Sequence, residues 1–438
     1  MRKTLINTWA LFLGMGLIML GNGLQGTLLG IRATIEGFDT SITGLVMSGY
    51  FIGLIAGCYA VPRLIAKVGH VRVFGALASL ASTSILIHGV WVDPFLWWAM
   101  RLVTGFSYAG LYIVTESWLN DAADNDSRGQ MLSIYMIISL GGMAGGQFLL
   151  NLASPEQIEL FILSSLMISL AVVPILVSAN RGPTLTSAES VSIFQLYKIS
   201  PLGVFGMFAS GVCMGAFFGM GAVYTTNLGF SVKDVALFMS SIIIGGFLSQ
   251  YPLGWLSDRY GRRSVILTTC AIGGALALYA AANPDQGIMF FVMALFIGGM
   301  IMPLYALCGA HVNDYLSPIQ MVAASGTLVL VNAIGATMGS PIAAFAMDIF
   351  GPSAFYSTIA TMMGIVVAFT LWRSTRRADH TEEERGDFVV MASTPLSASL
   401  NSDIEMDVIE EAASEDREDI QASFEELAIE LAQPDDKH

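Results

Sequence analysis

Residues 254–263 read GWLSDRYGRR, and apolar segments lie on both sides of them, at 235–256 and 264–282. Each segment is about as long as a membrane-crossing helix, which needs about 20 apolar residues to span the hydrocarbon layer. Gly261 in the charged turn can adopt a left-handed backbone, and Asp258 can accept hydrogen bonds from arginine side chains. The stretch therefore predicts two membrane helices joined by a tight basic turn.

The composition of the whole chain agrees with a membrane protein. Of its 438 residues, 54% are hydrophobic and only 12% are charged, which is about half the charged fraction of a soluble domain. The stretches Thr8–Ile31 and Val73–Val92 contain neither acidic residues nor Lys or Arg. The first is too long for a cleaved signal peptide, and no small-residue cleavage site follows it. Lipid is thus the expected solvent for much of the chain.

We predict twelve membrane-spanning helices from the apolar segments. They lie near Thr8–Gly30, Ile42–Ala66, Val71–Val92, Phe95–Leu119, Gly129–Leu150, Ile158–Ala179, Pro201–Asn227, Val235–Leu256, Ser264–Ala282, Gly287–His311, Val322–Ala346 and Ser353–Trp372. The chain then divides into an N-terminal six-helix bundle (1–179), a cytoplasmic linker (180–200), a C-terminal six-helix bundle (201–372) and an acidic tail (373–438).

The two halves repeat each other in a constant register. Gly53 recurs as Gly245 at an offset of 192, and Tyr112 recurs as Tyr305 at an offset of 193. Further matches at these offsets are Gly37-Phe38, Met47-Ser48, Gly69 and Asn120-Asp121, which return as Gly229-Phe230, Met239-Ser240, Gly261 and Asn313-Asp314. Six helices per half is an even number, so both halves cross the membrane in the same direction. The predicted fold class is an all-α membrane protein of two parallel-repeat six-helix bundles.

Basic residues predict the orientation in the membrane. The ends that hold the turn at 259–263 also hold most other Lys and Arg residues of the two bundles, whereas the opposite ends hold only Arg32 and Lys233. Because basic residues stay in the cytoplasm, both termini should be cytoplasmic in a bacterial inner membrane.

The acidity of the chain belongs to its tail. From Asp379 onward there are nineteen acidic and three basic residues out of 34 and 20 in all, which leaves 15 acidic and 17 basic residues before it. A polar, acidic segment with few aromatic residues is typical of disorder. The alternative is that apolar positions form short amphipathic helices that dock on the body: Ile404, Met406, Ile409, Ile420, Phe424, Leu427 and Leu431.

The turn also carries a resemblance to a known family. The spacing Gly254-x-x-x-Asp258-Arg259-x-Gly261-Arg262-Arg263 resembles the signature loop of the major facilitator superfamily, whose members are solute transporters. In that family the loop latches the two halves together on the cytoplasmic side, so these six residues are the predicted latch. The first-half copy has Ala66 in place of the acidic residue, which leaves a latch there in doubt.

Other motifs extend the resemblance from Met1 to about Trp372. Arg101-Leu-Val-Thr-Gly105 resembles the family's Arg-x-x-x-Gly motif, which implies a role for Arg101 in coupling proton movement to transport. The segments 21–26 and 303–314 are similar to the YcaD-like bacterial branch, which includes riboflavin importers of the RfnT type.

Polar and aromatic residues near the middle of the helices that line the path in this family are the candidates for substrate binding. They are Asn22, Gln25, Tyr108, Tyr112, Gln147, Tyr224, Asn227, Gln250, Tyr305 and Asn332. Amides and phenols suit a neutral solute with several hydrogen-bonding edges and a flat face. Glu116 and Asp314 lie towards the cytoplasmic ends of equivalent helices, and either carboxyl group could carry a coupling proton.

These features predict a secondary active transporter that works as a monomer by alternating access. The preferred function is uptake of a small neutral solute, with riboflavin as the named candidate and protons as a possible coupling ion. The alternatives are a proton-coupled exporter of drugs or metabolites, and a membrane sensor that uses the acidic tail. The sequence has neither a Walker-type phosphate loop nor a clustered nucleophile and base, so we expect no enzyme activity, cofactor, metal or nucleic-acid partner.

Overall fold

The computed structural model describes residues 2–122, 125–178, 191–283, 287–375 and 417–431, and the regular elements in these ranges are helices. They are α1 (Arg2–Ile35), α2 (Thr40–Val68), α3 (His70–Val90), α4 (Pro94–Ala122), α5 (Asn125–Phe148), a 3-10 turn (Leu149–Leu152), α6 (Glu159–Ser178), α7 (Ile193–Ile199), α8 (Pro201–Asn227), α9 (Val232–Tyr260), α10 (Arg262–Ala282), α11 (Ile288–Ile301), α12 (Pro303–Asn313), α13 (Pro318–Phe350), α14 (Ala354–Ser374) and α15 (Arg417–Glu430).

The predicted twelve-helix membrane fold is confirmed. Eleven spans in the described ranges are long and apolar enough to cross a bilayer, with α11 and α12 counted as one. The twelfth is α4, which is 29 residues long but buries Arg101 and Glu116. The tenth span is divided at Met302 because Pro303, the first residue of α12, has no N–H to continue the hydrogen-bond ladder. The short helix α7 lies in the segment predicted as a linker.

The repeat in the sequence is a repeat in helix packing. A Cβ atom on Gly53 would collide with the Leu102 carbonyl oxygen, so α2 and α4 touch backbone to backbone. The same collision would occur between Gly245 and Leu295, where α9 meets α11. Gly245 is the sequence equivalent of Gly53 at an offset of 192, and Leu295 is that of Leu102 at an offset of 193. The two bundles are therefore built on the same close helix crossing.

A second crossing is repeated in the same way between α1 and α5 and between α8 and α13. A Cβ on Gly146 would meet the Leu20 carbonyl oxygen, and one on Gly339 would meet that of Val212. The glycines at these positions allow the close crossing, since small residues let membrane helices approach closely.

We call the membrane face that carries Arg63, Lys67, Arg262 and Arg263 the basic side, and the face that carries Arg32 the opposite side. The short turns on the basic side need glycines with positive φ: Gly69 between α2 and α3 has a φ of 85°, and Gly261 between α9 and α10 has a φ of 92°.

The two bundles touch each other towards the opposite side. The Ser41 backbone N–H, at the start of α2, donates to the Asp348 carboxylate at the end of α13 (2.9 Å). The Ser240 hydroxyl of α9 donates to the Ala144 carbonyl of α5 (3.2 Å). These contacts close the space between the bundles on the opposite side.

Part of the acidic tail is a helix docked on the basic side. Ile420 and Phe424 of α15 are buried, and the Gln320 amide of α13 donates to the Ser423 carbonyl (3.3 Å). This differs from the predicted disorder for residues 417–430, because apolar residues four positions apart give α15 one face that can pack. The predicted helix positions Ile404, Met406 and Ile409 lie outside the described residues.

Candidate substrate-binding cavity

A cavity of about 200 Å³ lies between the two bundles, near the middle of the spans. Its walls come from α1, α2, α4 and α5 of the first bundle and from α8, α9, α12 and α13 of the second, together with Met302. Four spans from each half thus enclose one space, and a change in the angle between the bundles would change its shape.

Most of the predicted binding residues line this cavity. Six of the ten candidates, and the predicted coupling residue Arg101, contribute to its walls; the six are Asn22, Tyr112, Gln147, Gln250, Tyr305 and Asn332. They come from six different spans that the structure brings together.

The other four predicted binding residues, Gln25, Tyr108, Tyr224 and Asn227, lie outside the lining of this cavity. Tyr108 and Gln25 are buried between helices, where the Tyr108 ring packs against the Tyr112 ring at 6.1 Å between centroids. Tyr224 belongs to an aromatic cluster, stacked on Phe355 at 4.7 Å. Asn227 is exposed at the last turn of α8. The side chains of Gln25, Tyr108 and Tyr224 are on another face of their helices, and Asn227 is at the end of its helix.

The wall formed by the first bundle is polar and internally hydrogen-bonded. The Asn22 amide donates to the Tyr112 hydroxyl (3.3 Å), which joins α1 to α4. The Gln147 amide of α5 donates to the Gly23 carbonyl (2.9 Å), and its oxygen accepts from Thr27 (2.6 Å). These bonds fix the amides against α1, because buried polar groups are costly unless they are paired.

Arg101 lies in the same polar wall. Its guanidinium sits over the Tyr50 ring, with Cζ 4.7 Å from the ring centroid. Gly49 makes this arrangement possible, since a Cβ there would lie 2.7 Å from the Trp98 carbonyl oxygen and would push α2 away from α4. One arginine, predicted as a coupling residue, thus lines the cavity.

The wall formed by the second bundle is largely apolar. Met214, Phe218, Met239 and Met302 face the cavity there, and methionine side chains adapt readily to irregular surfaces. Asn332 on α13 is polar, but its amide donates to the Met207 carbonyl (3.1 Å). The cavity can therefore hold a solute with one polar side and one apolar side.

The model of the Major Facilitator Superfamily matches residues 11–250 and 203–414, which together cover most of the chain. The chain belongs to this superfamily. Membership makes it a secondary transporter of a small molecule and not an enzyme. The predicted family is thus confirmed.

The relatives lie in the branch that the sequence motifs indicated. The uncharacterized transporter YcaD of the superfamily from Escherichia fergusonii is 27% identical over 375 residues, which cover 84% of this chain and 95% of that protein. YcaD from an Escherichia coli strain is 26% identical over 373 residues, with the same shares of the two chains.

Solved structures share the fold. The nucleoside transporter NupG superposes with a TM-score of 0.71 at 16% identity, over 85% of this chain and all of that one. A bacterial homolog of the human lysosomal transporter Spinster, in an inward-facing and occupied conformation, gives 0.66 at 14% identity, over 86% and 97% of the two chains. At these identities the likeness shows the major facilitator fold alone.

Several cavity residues were missed by the sequence analysis of this superfamily member. Tyr50, Phe51 and Leu54 come from α2, a span that was not counted among those lining the path. Met214 and Phe218 are apolar and so did not meet a criterion based on polar groups. The one-turn spacing of Tyr50 and Leu54 could have indicated a common face, but without contacts between helices it does not say which face points inward.

The two predicted coupling carboxylates have different surroundings. Glu116 is buried on α4 and accepts a hydrogen bond from the Tyr135 hydroxyl (2.9 Å), and Tyr135 lines the cavity. Asp314 is held by Arg262, whose Nε lies 3.3 Å from the carboxylate. Glu116 is thus one side chain away from the cavity, whereas Asp314 is part of an ion pair at the basic side.

The predicted latch residues surround Arg262. Its side chain is 2% exposed, and its Nη1 donates to the Asp258 carboxylate (2.5 Å) and to the Ser257 hydroxyl (2.7 Å). Arg259 is exposed and lies over the Trp255 ring, while Gly254 is buried. With the ion pair to Asp314, this arginine connects the turn between α9 and α10 to the end of α12, within the second bundle.

Proposed function

We propose that this superfamily member takes up a small organic solute across the bacterial inner membrane by alternating access. The observation that carries the proposal is the mid-membrane cavity, which both bundles line and which the contacts Ser41–Asp348 and Ser240–Ala144 close on the opposite side. A single cavity that is closed on one side fits a cycle in which the bundles rock about the bound solute.

The proposed orientation puts the basic side in the cytoplasm. Arg63, Lys67, Arg262 and Arg263 lie on that side, where basic residues remain during insertion. Both termini are then cytoplasmic, and the side that the two contacts close faces away from the cytoplasm, which supports the release step of an importer.

Riboflavin is the named solute of this proposal. Its flat ring system suits the aromatic residues Tyr50, Phe51 and Phe218, and its carbonyl edge suits donors such as those of Tyr112 and Arg101. The support is chemical fit to a cavity whose lining combines hydrogen-bonding groups with apolar and aromatic side chains.

For the energy source we propose coupling to protons through Glu116. The carboxyl group is buried and touches the cavity wall through Tyr135, so a change in its protonation would alter that wall. Glu116→Gln, which keeps the shape and removes the charge, should abolish uptake driven by a proton gradient and leave solute exchange without a gradient intact.

The test of uptake uses a strain that cannot synthesise riboflavin. The wild-type chain should restore growth on low external riboflavin, and Tyr112→Ala in the cavity wall should reduce the rescue. Tyr59→Ala is the control, since that tyrosine is exposed on α2. Equal growth of the wild type and the empty vector, at good membrane expression, would contradict riboflavin uptake.

Met214, Met239 and Met302 in the wall of the second bundle favour a second candidate function, the export of a hydrophobic compound. An exporter should raise resistance to toxic hydrophobic compounds and lower retention of a fluorescent dye when it is overexpressed. An importer of a polar nutrient should change neither.

A further inference from the structure

Arg101 is a buried cation for which the described residues provide no counter-charge. Its side chain is 5% exposed, and Nε has no hydrogen-bond partner. The ion pairs in the described ranges are formed by Arg32 and Arg262, not by Arg101. Glu116, on the same helix, is fifteen positions away, or about 22 Å along the axis.

The packing of the helices does not require this charge. The α9–α11 crossing in the second bundle repeats the α2–α4 crossing, and there the equivalents of Tyr50 and Arg101 are Ile242 and Ala294. Apolar residues thus fill the same two positions around the same backbone contacts. The arginine is an addition to the scaffold of the first bundle.

An uncompensated charge inside a membrane protein is costly and marks a site where water or a ligand completes the pairing. The Tyr50 ring offsets part of the cost, since the face of an aromatic ring attracts a cation. It cannot neutralise the charge. Arg101 also lines the cavity, where an anion could form charge-assisted hydrogen bonds with its guanidinium group.

We infer that the transported solute is a monoanion whose carboxylate pairs with Arg101. This inference rests on the proposed transport function and specifies the class of solute for the same cavity. One guanidinium balances one negative charge, and the apolar wall around Met214 and Phe218 receives the rest of the molecule. The class is therefore a small amphipathic carboxylic acid with an aromatic or other flat apolar body. Riboflavin is neutral, so a carboxylate would replace it as the named solute, while the proposed transport function would stand.

The experiment compares pairs of probes that differ only in charge, such as indole-3-acetate and indole-3-acetamide, or nicotinate and nicotinamide. Binding to the purified full-length protein is measured by thermal shift and by quenching of tryptophan fluorescence. The wild type should bind at least one carboxylate about ten- to a hundredfold more tightly than its amide, the range expected for a charge-assisted hydrogen bond.

Arg101→Gln should remove this preference, and Arg101→Lys should keep part of it because the charge remains. Arg63→Gln is the matched control, since it removes the same charge from an exposed position on the basic side. If Arg101→Gln does not fold, the affinities for the acid and its amide are still compared in the wild type and in Arg101→Lys, and these comparisons test the inference. Equal binding of acid and amide, absence of binding by every carboxylate, or an unchanged preference in Arg101→Gln would overturn the inference.

Transport by proteoliposomes separates this inference from the proposed function. Uptake of riboflavin at the same rate by the wild type and Arg101→Gln would contradict the inferred anionic solute but not the proposed transport function. A protein that moves neither riboflavin nor any carboxylate would contradict both.

Discussion

Replacing Gly53 by alanine tests the repeated helix crossing. The added Cβ would lie 2.8 Å from the Leu102 carbonyl carbon and from the Phe106 nitrogen, both backbone atoms. Carbon atoms prefer separations of roughly 3.5–4.0 Å, so α2 and α4 must move apart by about 1 Å. Overpacking of this kind costs about 1–3 kcal/mol. Alanine recovers up to about 1 kcal/mol through its helix propensity, which leaves a net loss of about 0–2 kcal/mol.

Gly364→Ala is the matched control for this prediction. Gly364 is also inside a helix, but a Cβ there would meet nothing within 4 Å, so the variant gains the propensity term without the clash. The difference between the two variants is then the overpacking cost alone, about 1–3 kcal/mol. Gly245→Ala, at the equivalent crossing in the second bundle, should behave like Gly53→Ala.

The assay is the midpoint of thermal unfolding of the purified variants in one detergent. With a shift of about 2 °C per kcal/mol for a large chain, Gly53→Ala and Gly245→Ala should unfold about 2–6 °C below Gly364→Ala. A Gly53→Ala midpoint equal to or above that of Gly364→Ala would refute the backbone contact between α2 and α4.

Three further predictions concern the basic side. Arg262→Met should lower the midpoint of thermal unfolding by more than Arg259→Met does, since it leaves the Asp314 side chain, 4% exposed, without its arginine, at a cost of about 3 kcal/mol; equal midpoints would contradict this. Asp258→Asn should slow transport turnover in proteoliposomes without lowering the yield of inserted protein, and an unchanged rate would show that the loop serves only to set topology. Phe424→Asp should speed hydrogen exchange in residues 417–430 while that of α13 stays unchanged, because α15 loses its buried anchor; slow exchange in both would count against docking.

The sequence predicted the types of residue that line the candidate site, but only some of the individual residues. Asn22, Tyr112 and Gln147 were selected because amides and phenols at mid-depth suit solute binding, and the cavity contains them. Tyr224 met the same criterion but packs in an aromatic cluster. A polar side chain at the right depth can point into the cavity or towards a neighbouring helix, and the residue type does not show which.

Arg101 shows most clearly what the sequence left open. Its motif indicated a role in transport, yet the position of the Tyr50 ring over the guanidinium depends on how α2 and α4 pack. The tail gives a second case, since burial of Phe424 depends on a groove formed by helices that are far away in the chain.

The sequence by itself determined the number of spans, their common direction in the two halves and the positions of the tight turns. These follow from local quantities: the thickness of the bilayer sets the length of an apolar segment, and constant register between equivalent glycines sets the repeat. The tertiary structure alone decided which side chains share the cavity and that, among the described residues, Arg101 has no acidic partner there. The bond between Asn22 and Tyr112 joins residues 90 positions apart, and such a meeting depends on the packing of whole helices, which no local pattern encodes.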